Sequence, residues 1–328
     1  MAYEDYVEEI TVEGVEDLFD YITGRKNIPD LREDFIFRGV KSSKYELIPS
    51  SLRKDDDGEF EIDKYLKGEF PDNRVLKENI VLFDFLEMAD KQGFKIPIPQ
   101  KFREFFHKYV KSDRDYVLEP WPTYDYFEAI SLAQHYGIPT CALDWSYDYK
   151  VALYFSVIGV LEDKHKDDDC VLWAFNHKTF ESSRDSIKNF KDVKLWINRN
   201  IPAVSYRPAY NDNPNLNAQK GLFTFVIQKA SDYSGKSLDQ LISDELDACM
   251  KNEGNEVTIF EKNSGHRITL KEDEKVFYKF IIPQDLKAKI LNDLYIDGYT
   301  EEKIFPGYAS IAESIENRVK LDKLLGRK

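Results

Sequence analysis

Amphipathic stretches of helical length alternate with short apolar runs along the 328 residues of the chain. From Val15 to Ile22, apolar residues recur every three or four positions, which predicts an amphipathic helix that ends near Gly24. The next apolar run, DFIFRG, alternates its two Phe residues with Ile and Arg38 and stops at Gly39, as a short strand before a turn does. The chain therefore begins with a helix and a strand, and the strand carries a basic side chain near its end.

A block of helices is predicted over residues 72–122. The segment RVLKENIVLFDFLEMADKQG is apolar on most faces between Val75 and Met88, as expected of a helix that packs inside a domain. IPIP interrupts the chain, and QKFREFFHKYV predicts a further helix. We interpret this block as a helical insertion.

The middle of the chain predicts a helix, a strand and a second helix in close succession. Thr123 as a cap and Gly137 as a stop predict a helix from about Tyr124 to Tyr136. PTCALDWS then reads as a buried strand and YKVALYFSVIGV as an apolar helix. Reactive side chains are concentrated at the junctions of these elements, which is how a core segment can also frame a site.

The rest of the chain mixes both kinds of element without a linker. Strands are predicted at CVLWAFN, AVSYR, GLFTFVIQ, EVTIF and KVFYKFII, and helices at SLDQLISDELDAC, PQDLKAKILNDLYIDG and GYASIAESIENRVKLDKLL. Since no internal repeat or low-complexity tract divides the sequence, we expect residues 1–328 to form a single α+β domain.

Composition places the chain among globular proteins, with 42% hydrophobic and 32% charged residues. No apolar run approaches the length of a membrane span, and the N-terminus is acidic where a signal peptide is basic, so we expect a cytoplasmic protein with no membrane partner. The net charge of −14 argues against a broad nucleic-acid-binding face. A local basic pocket for a small anion is compatible with that charge.

Common catalytic and metal-binding motifs are absent. The sequence has no P-loop, no G-x-G-x-x-G and no G-x-S-x-G, and its three cysteines are odd in number and far apart, so neither zinc nor a disulfide framework is expected. Cys141 with His135 and Asp144 suggests a cysteine nucleophile, but a thiol in a buried strand stays neutral. We therefore interpret Cys141 as a core residue and expect no metal.

Four segments together resemble the FRG domain family: FIFRGV, ELIPSSLRK, LAQHYGIPTCALDWSYDYKVALYF and RPAYNDNPNLNAQKGLFTF. The family is named for its Phe-Arg-Gly triplet, here Phe37, Arg38 and Gly39. The resemblance covers residues 10–230 approximately and matches 231–328 less clearly. One departure is Cys141, which stands after Pro-Thr where the family usually has Arg.

FRG domains are in turn distantly similar to the ADP-ribosyltransferase fold, which implies a core of mixed or antiparallel sheet with helical insertions. The resemblance implies that Arg38 on the first strand holds NAD, and that Ser146, before KVALYF, is the small hydroxyl residue of the second strand. Gln219 opens the third strand, but Gly221 stands where those enzymes carry a catalytic Glu. The carboxylate must then come from Asp144 or Glu128.

The site implied by this resemblance uses NAD as the candidate substrate and a protein or nucleic acid as the candidate acceptor. Its activity would be that of an ADP-ribosyltransferase or NAD glycohydrolase in a bacterial defence or toxin effector. The expected catalytic residues are His135 as a base, Asp144 and Gln219, and the expected nucleotide-binding residues are Arg38, Tyr136, Trp145, Ser146 and Arg207.

Structural roles compete with each of these assignments. Arg38 could form a salt bridge, His135 could favour the negative end of its helix, and Asp144 could cap the following turn. A non-catalytic module that binds a nucleotide or a protein is the alternative function, and a polynucleotide-binding protein is a third. Convergence of Arg38, His135, Asp144 and Gln219 on one concave pocket would favour a functional site over dispersed structural roles.

Overall fold

A computed structural model gives the fold. It describes residues 3–55, 57–68, 73–98, 121–177, 203–210, 213–227, 235–253, 256–260, 267–271 and 275–327.

Within these ranges, seven strands form one mixed sheet and two more form a separate antiparallel pair. The strands are β1 (Val7–Thr11), β2 (Phe35–Val40), β3 (Ala142–Ser146), β4 (Cys170–Asn176), β5 (Ala203–Tyr206), β6 (Gly221–Val226), β7 (Glu256–Phe260), β8 (Arg267–Lys271) and β9 (Phe277–Ile282). The large sheet has the order β1-β9-β4-β2-β3-β6-β5, and β7 pairs with β8. Within the large sheet β1 and β9 are parallel, and the other neighbours are antiparallel.

Helices cover both faces of the sheet. They are α1 (Val15–Ile22), α2 (Arg74–Lys91), α3 (Phe127–His135), α4 (Tyr149–Val157), α5 (Pro214–Ala218), α6 (Leu238–Glu253), α7 (Gln284–Ile296), α8 (Glu301–Ile304) and α9 (Tyr308–Leu324). On one face, a core cluster joins α1, α4 and α7 to the sheet, and another joins α2 and α3 to β3, β5 and β6. On the opposite face, a third cluster packs α6 against β2, β3, β4 and β6. The α+β class expected from the sequence is therefore correct. None of the helices in the described ranges is both long and apolar enough to cross a membrane.

Strand β2 forms where the sequence pattern predicts it, and its glycine sets the distance to α4. A Cβ atom on Gly39 would lie 1.9 Å from the main-chain oxygen of Ala152 and 2.6 Å from the nitrogen of Ser156. Both atoms belong to the backbone of α4, so the helix can approach β2 this closely only at a residue without a side chain. The last residue of the Phe-Arg-Gly triplet is thus a packing residue.

Most predicted elements appear close to their predicted bounds. The helix expected from Tyr124 to Tyr136 begins as a 3-10 turn over Tyr124–Tyr126 and continues as α3. Helix α2 lies within the expected helical block of 72–122, whereas the helix expected at QKFREFFHKYV lies outside the described residues. Strand β9, from the less clearly matched C-terminal part, is an interior strand of the sheet.

The hydrophobic pattern of the sequence did not predict two of the observed strands. Strand β1 has the sequence VEEIT, and its partly exposed acidic residues hide the short alternation that marks a strand. It pairs with β9, which is distant in sequence, so no neighbouring hairpin signal announces it. The second strand that the sequence did not predict is β8, although its partner β7 was predicted.

Candidate functional site

A cavity of about 1060 Å³ opens beside β2 and β3. These two strands pair at one position, Phe37 with Ser146, and the cavity opens where they separate. The end of α3, part of α4 and residues between 41 and 64 form further walls, and its volume is close to the upper end of the range of small-molecule sites. Charged and polar side chains border it, among them Arg38, Arg53, Gln134, His135, Tyr136, Asp144 and Gln219.

The centre of this site is a contact between Arg38 and Asp144. Arg38 Nη1 donates a 2.6 Å hydrogen bond to the main-chain oxygen of Asp144 and lies 3.5 Å from the carboxylate oxygen Oδ2. The side chain of Arg38 is 16% exposed and that of Asp144 is 54% exposed. No described residue accepts a hydrogen bond from Arg38 Nε. The guanidinium is therefore held in place by the backbone while part of its donor set is unused.

Burial lowers the pKa of the Arg38 guanidinium, Asp144 opposes this change, and the nearby charge of Arg53 reinforces it. An arginine remains protonated despite such a change because its ordinary pKa lies far above neutral pH. Arg38 is thus a fixed, partly dehydrated cation, and a second cation lies near it. This environment favours a bound anion.

Asp144 is more accessible than the sequence predicted. An apolar strand predicts a buried carboxylate, but the side chain lies open to the cavity because β3 separates from β2 there. Gln134 Nε2 donates a 3.1 Å hydrogen bond to Asp144 Oδ2, and Gln134 Oε1 accepts a 2.7 Å hydrogen bond from the hydroxyl of Thr140. Sequence reasoning did not select Gln134, although it directly precedes His135 in the family-like segment.

His135 and Tyr136 lie on the rim of the cavity, as the last residue of α3 and its C-cap. Their rings are in edge contact, with centroids 5.1 Å apart, and both side chains are exposed. Partial desolvation lowers the pKa of His135 more than the Asp144 carboxylate raises it. The imidazole is therefore neutral at neutral pH and able to accept a proton.

Three other residues predicted from the sequence border the cavity, but their polar groups form hydrogen bonds within the protein. The indole N–H of Trp145 donates to Thr224 Oγ1 at 2.9 Å, and its ring is buried in the core. Ser146 Oγ donates to the main-chain oxygen of Gln219 at 2.7 Å. The side-chain amide of Gln219 in turn donates to the main-chain oxygen of Ile304 at 3.3 Å. These contacts join β3, β6 and α8 around the base of the cavity.

Arg207 and Glu128 do not belong to this site. The exposed guanidinium of Arg207 lies 5.4 Å from the centre of the Tyr210 ring, outside the residues that line the cavity. Glu128 accepts a 2.5 Å hydrogen bond from the hydroxyl of Tyr206 and is also outside that lining. Of the two carboxylates proposed from the sequence, only Asp144 reaches the cavity.

Gly221 and Cys141 also have defined structural settings. A Cβ atom on Gly221 would lie 2.4 Å from Leu216 Cδ1, so this position is closed by packing. The thiol of Cys141 is buried, and burial raises its pKa well above the ordinary value, with the adjacent Glu78 acting in the same direction. A thiolate is thus disfavoured, in agreement with its interpretation as a core residue.

Several cations on the rim were not selected from the sequence. Arg53 Nη2 donates a 3.0 Å hydrogen bond to the main-chain oxygen of Ile48, which fixes its guanidinium beside the cavity. Arg53 and Lys54 belong to ELIPSSLRK, a segment that carried the family resemblance without an assigned role. The other lysines on the lining are Lys41, Lys64 and Lys164. Among the described side chains, no group of three or more His, Cys, Asp or Glu is placed to hold a metal ion.

The fold and the cavity define an α+β protein with a polar cleft at the separation of two central strands. A family model of the FRG domain matches residues 33–168, and this part of the chain is an FRG domain. The match includes Arg38, Arg53, Gln134 and Asp144, so the centre of the cavity lies inside the domain. No curated protein and no solved structure matches the chain significantly.

Proposed function

We propose that the cavity binds a nucleotide with a pyrophosphate group, NAD being the first candidate, and that the chain acts on it as an ADP-ribosyltransferase-like enzyme or NAD glycohydrolase. The observation that supports this proposal is the meeting of Arg38 and Asp144 in one cavity of sufficient volume for such a ligand. A fixed cation and an accessible carboxylate are the two charged groups that this chemistry needs.

The phosphate is assigned to Arg38 because a guanidinium offers several donors in one plane and matches two phosphate oxygens. Its bond to the main-chain oxygen of Asp144 fixes the orientation, and Nε has no acceptor among the described residues. The contact to the Asp144 carboxylate is long, at 3.5 Å, so an incoming phosphate can compete for the same donor. Arg53 adds positive charge next to this position.

The carboxylate of Asp144 is assigned to the ribose. Cleavage of the bond between nicotinamide and ribose sends its electron pair to the nicotinamide nitrogen and leaves positive charge on the ribose. A carboxylate fixed by Gln134 stabilises that charge. Water or an acceptor nucleophile then forms the new bond to the ribose and loses a proton, which the neutral imidazole of His135 on the rim can accept.

A non-catalytic module that binds a nucleotide or a protein is the second candidate. The specific observation in its favour is Gly221, which offers no carboxylate at the position where the resemblance implies a catalytic Glu and is closed in by Leu216. The hydrogen bonds of Ser146 and Gln219 also point to structural roles. This candidate predicts binding without release of nicotinamide.

The experiment combines calorimetry with NAD and an assay of nicotinamide release. Arg38→Ala should weaken binding by about tenfold or more, since a charge-assisted contact to phosphate is lost, and Arg38→Lys should not restore it. Arg207→Ala is the matched control, because it removes an exposed arginine outside the cavity. Asp144→Asn should keep most of the binding and lose the release of nicotinamide.

Different outcomes separate the candidates. Binding by the wild type without nicotinamide release, alone or with a cell lysate, would support the non-catalytic module. Release accompanied by labelled protein or nucleic acid from the lysate would support a transferase of the defence or toxin type. Absence of NAD binding, or equal affinity of the wild type and Arg38→Ala, would contradict the proposal.

A further inference from the structure

Two phenylalanine rings meet at the wall of the cavity. Phe155 of α4 and Phe305, the residue directly after α8, both line it. Their ring centroids lie 5.7 Å apart, and the angle between the ring planes is 87°. The two rings therefore form a corner, which we call the aromatic corner. Both side chains pack against the core cluster of α1, α4 and α7 but remain partly exposed.

The other large aromatic residues of the lining are less suited to hold a planar ring inside the cavity. Phe37 and Trp145 are buried in the core. Tyr45 and Tyr136 are exposed, and each is in edge contact with a histidine ring. Among the described residues of the lining, the aromatic corner therefore combines shelter from solvent with ring surface that is open to the cavity.

The backbone around Phe305 is fixed by hydrogen bonds. Its N–H donates to the main-chain oxygen of Glu301 at 2.7 Å, and its own main-chain oxygen accepts from the hydroxyl of Ser310. The preceding main-chain oxygen, that of Ile304, accepts a 3.3 Å hydrogen bond from the side-chain amide of Gln219. Gln219 borders the cavity, so this bond ties the end of α8 to the cavity wall. The Phe305 ring is thus positioned in advance, which lowers the entropic cost of binding a ligand against it.

We propose that the aromatic corner holds a planar heteroaromatic ring of the bound nucleotide, and that Phe305 is a specificity-determining residue of the site. This inference rests on the proposed function, and it places a part of NAD that Arg38 and Asp144 do not contact. A ring stacked on one phenylalanine of the corner is nearly perpendicular to the other, so it gains a face contact and an edge contact together. Adenine and nicotinamide share this chemistry.

Phe305 also gives the C-terminal part of the chain a place in the site. The FRG domain match ends at residue 168, and Phe305 lies far beyond it in sequence. Its partner Phe155 lies inside the match. The corner is therefore formed by one residue of the domain and one residue of a later segment, so the shape of the ring site depends on both.

Calorimetry with NAD tests the role of the Phe305 ring. Phe305→Leu keeps an apolar side chain but removes the ring, and it should weaken NAD binding by about tenfold because base–aromatic stacking is lost. Phe305→Tyr keeps the ring and should retain NAD binding. Phe94→Leu is the matched control, since it removes an exposed phenylalanine ring outside the cavity lining and should leave the affinity unchanged. Circular dichroism and urea denaturation check that each variant is folded.

Smaller ligands separate the contribution of the ring from that of the phosphate. AMP, nicotinamide mononucleotide and ribose 5-phosphate all carry a phosphate, and the first two carry a ring. In NMR titrations, Phe305→Leu should weaken binding of AMP if the corner holds adenine, or of nicotinamide mononucleotide if it holds nicotinamide, and should not affect ribose 5-phosphate. An equal loss for all three ligands would show that Phe305 only maintains the fold of the cavity, and would overturn the inference.

The outcomes also separate this inference from the proposed function. NAD binding that depends on Arg38 but not on Phe305 would overturn the aromatic corner and leave the proposed function standing. Binding of AMP or nicotinamide mononucleotide that depends on Phe305, without binding of NAD, would support the corner and contradict the proposed function. If the wild type bound none of the ring-bearing ligands, both would be wrong.

Discussion

Three consecutive residues of β2 have three different physical roles. Phe37 is buried, and its ring lies 6.0 Å from that of Tyr149 on α4. Arg38 reaches the cavity and Asp144, whereas Gly39 meets the backbone of α4. Since successive side chains of a strand point to opposite sides, the first and third residues can pack on the helix while the second is available for the site. The triplet therefore couples the position of α4 to the position of the guanidinium.

Gly39→Ala tests the packing role. The added Cβ would lie 1.9 Å from a main-chain oxygen of α4, and a backbone atom cannot move aside as a side chain can. We expect a loss in the free energy of unfolding of about 3 kcal/mol or more, measured by urea denaturation. Gly14→Ala is the control, because its Cβ would have no neighbour within 4 Å and its φ of −168° suits any residue. Equal stability of the two variants would contradict the role assigned to Gly39.

At the scale of elements, the helical block is tied to the central strand through one buried carboxylate. Glu78 on α2 accepts a 2.5 Å hydrogen bond from the main-chain N–H of Cys141 and a 3.2 Å hydrogen bond from Ser51 Oγ. Burial raises the pKa of Glu78, although these hydrogen bonds oppose the change. Helix α2 is therefore attached just before β3, close to the strand that carries Asp144.

Glu78 makes stability depend on pH in a defined direction. Its pKa in the folded state is above the unfolded value of about 4.3, so the folded state retains a proton that the unfolded state has lost. The stability that Glu78 contributes to the folded state is fully present below its pKa in the unfolded state. It is lost as the pH rises through its pKa in the folded state. Glu78→Gln keeps an oxygen for Cys141 and an amide for Ser51 but cannot ionise.

We therefore expect Glu78→Gln to gain stability relative to the wild type as the pH rises from about 4 to about 8, measured by urea denaturation at both ends. Glu78→Ala separates the two effects, because it loses both hydrogen bonds and should be less stable than Glu78→Gln at every pH. If the free energies of unfolding of the wild type and Glu78→Gln differed by the same amount at every pH in this range, the Glu78 carboxyl would not be the cause of the pH dependence.

The elements that sequence reasoning located are those with a strong local period. Helices α3 and α4 and strands β2 and β3 follow directly from apolar spacing, caps and glycines. Strand β1 was missed because its evidence is a partner strand about 270 residues away. Arg207, which the resemblance assigned to the nucleotide site, lies outside the residues that line the cavity. Asp144 was expected to be buried, since a local apolar pattern cannot show that β2 and β3 separate beside it.

For the whole molecule, the domain defined by the family match depends on strands outside the match. Residues 33–168 contain β2 and β3, but β2 pairs along its length with β4, and β3 pairs along its length with β6. Strand β4 is joined in turn to β9, which also holds β1 at the edge of the sheet. The strands that frame the cavity thus receive most of their hydrogen bonds from later parts of the chain.

A fragment limited to residues 33–168 should therefore not fold. It would leave both sides of the β2–β3 pair without partners and expose core residues such as Phe37 and Leu143 to water. We expect far-UV circular dichroism of the fragment to show little ordered structure and no cooperative urea transition. A chain that lacks only residues 326–328 is the control and should unfold cooperatively, because no strand of the sheet is removed. A cooperative transition in the fragment would show that the FRG domain is an independent folding unit, and the dependence of its cavity on the C-terminal strands would then be wrong.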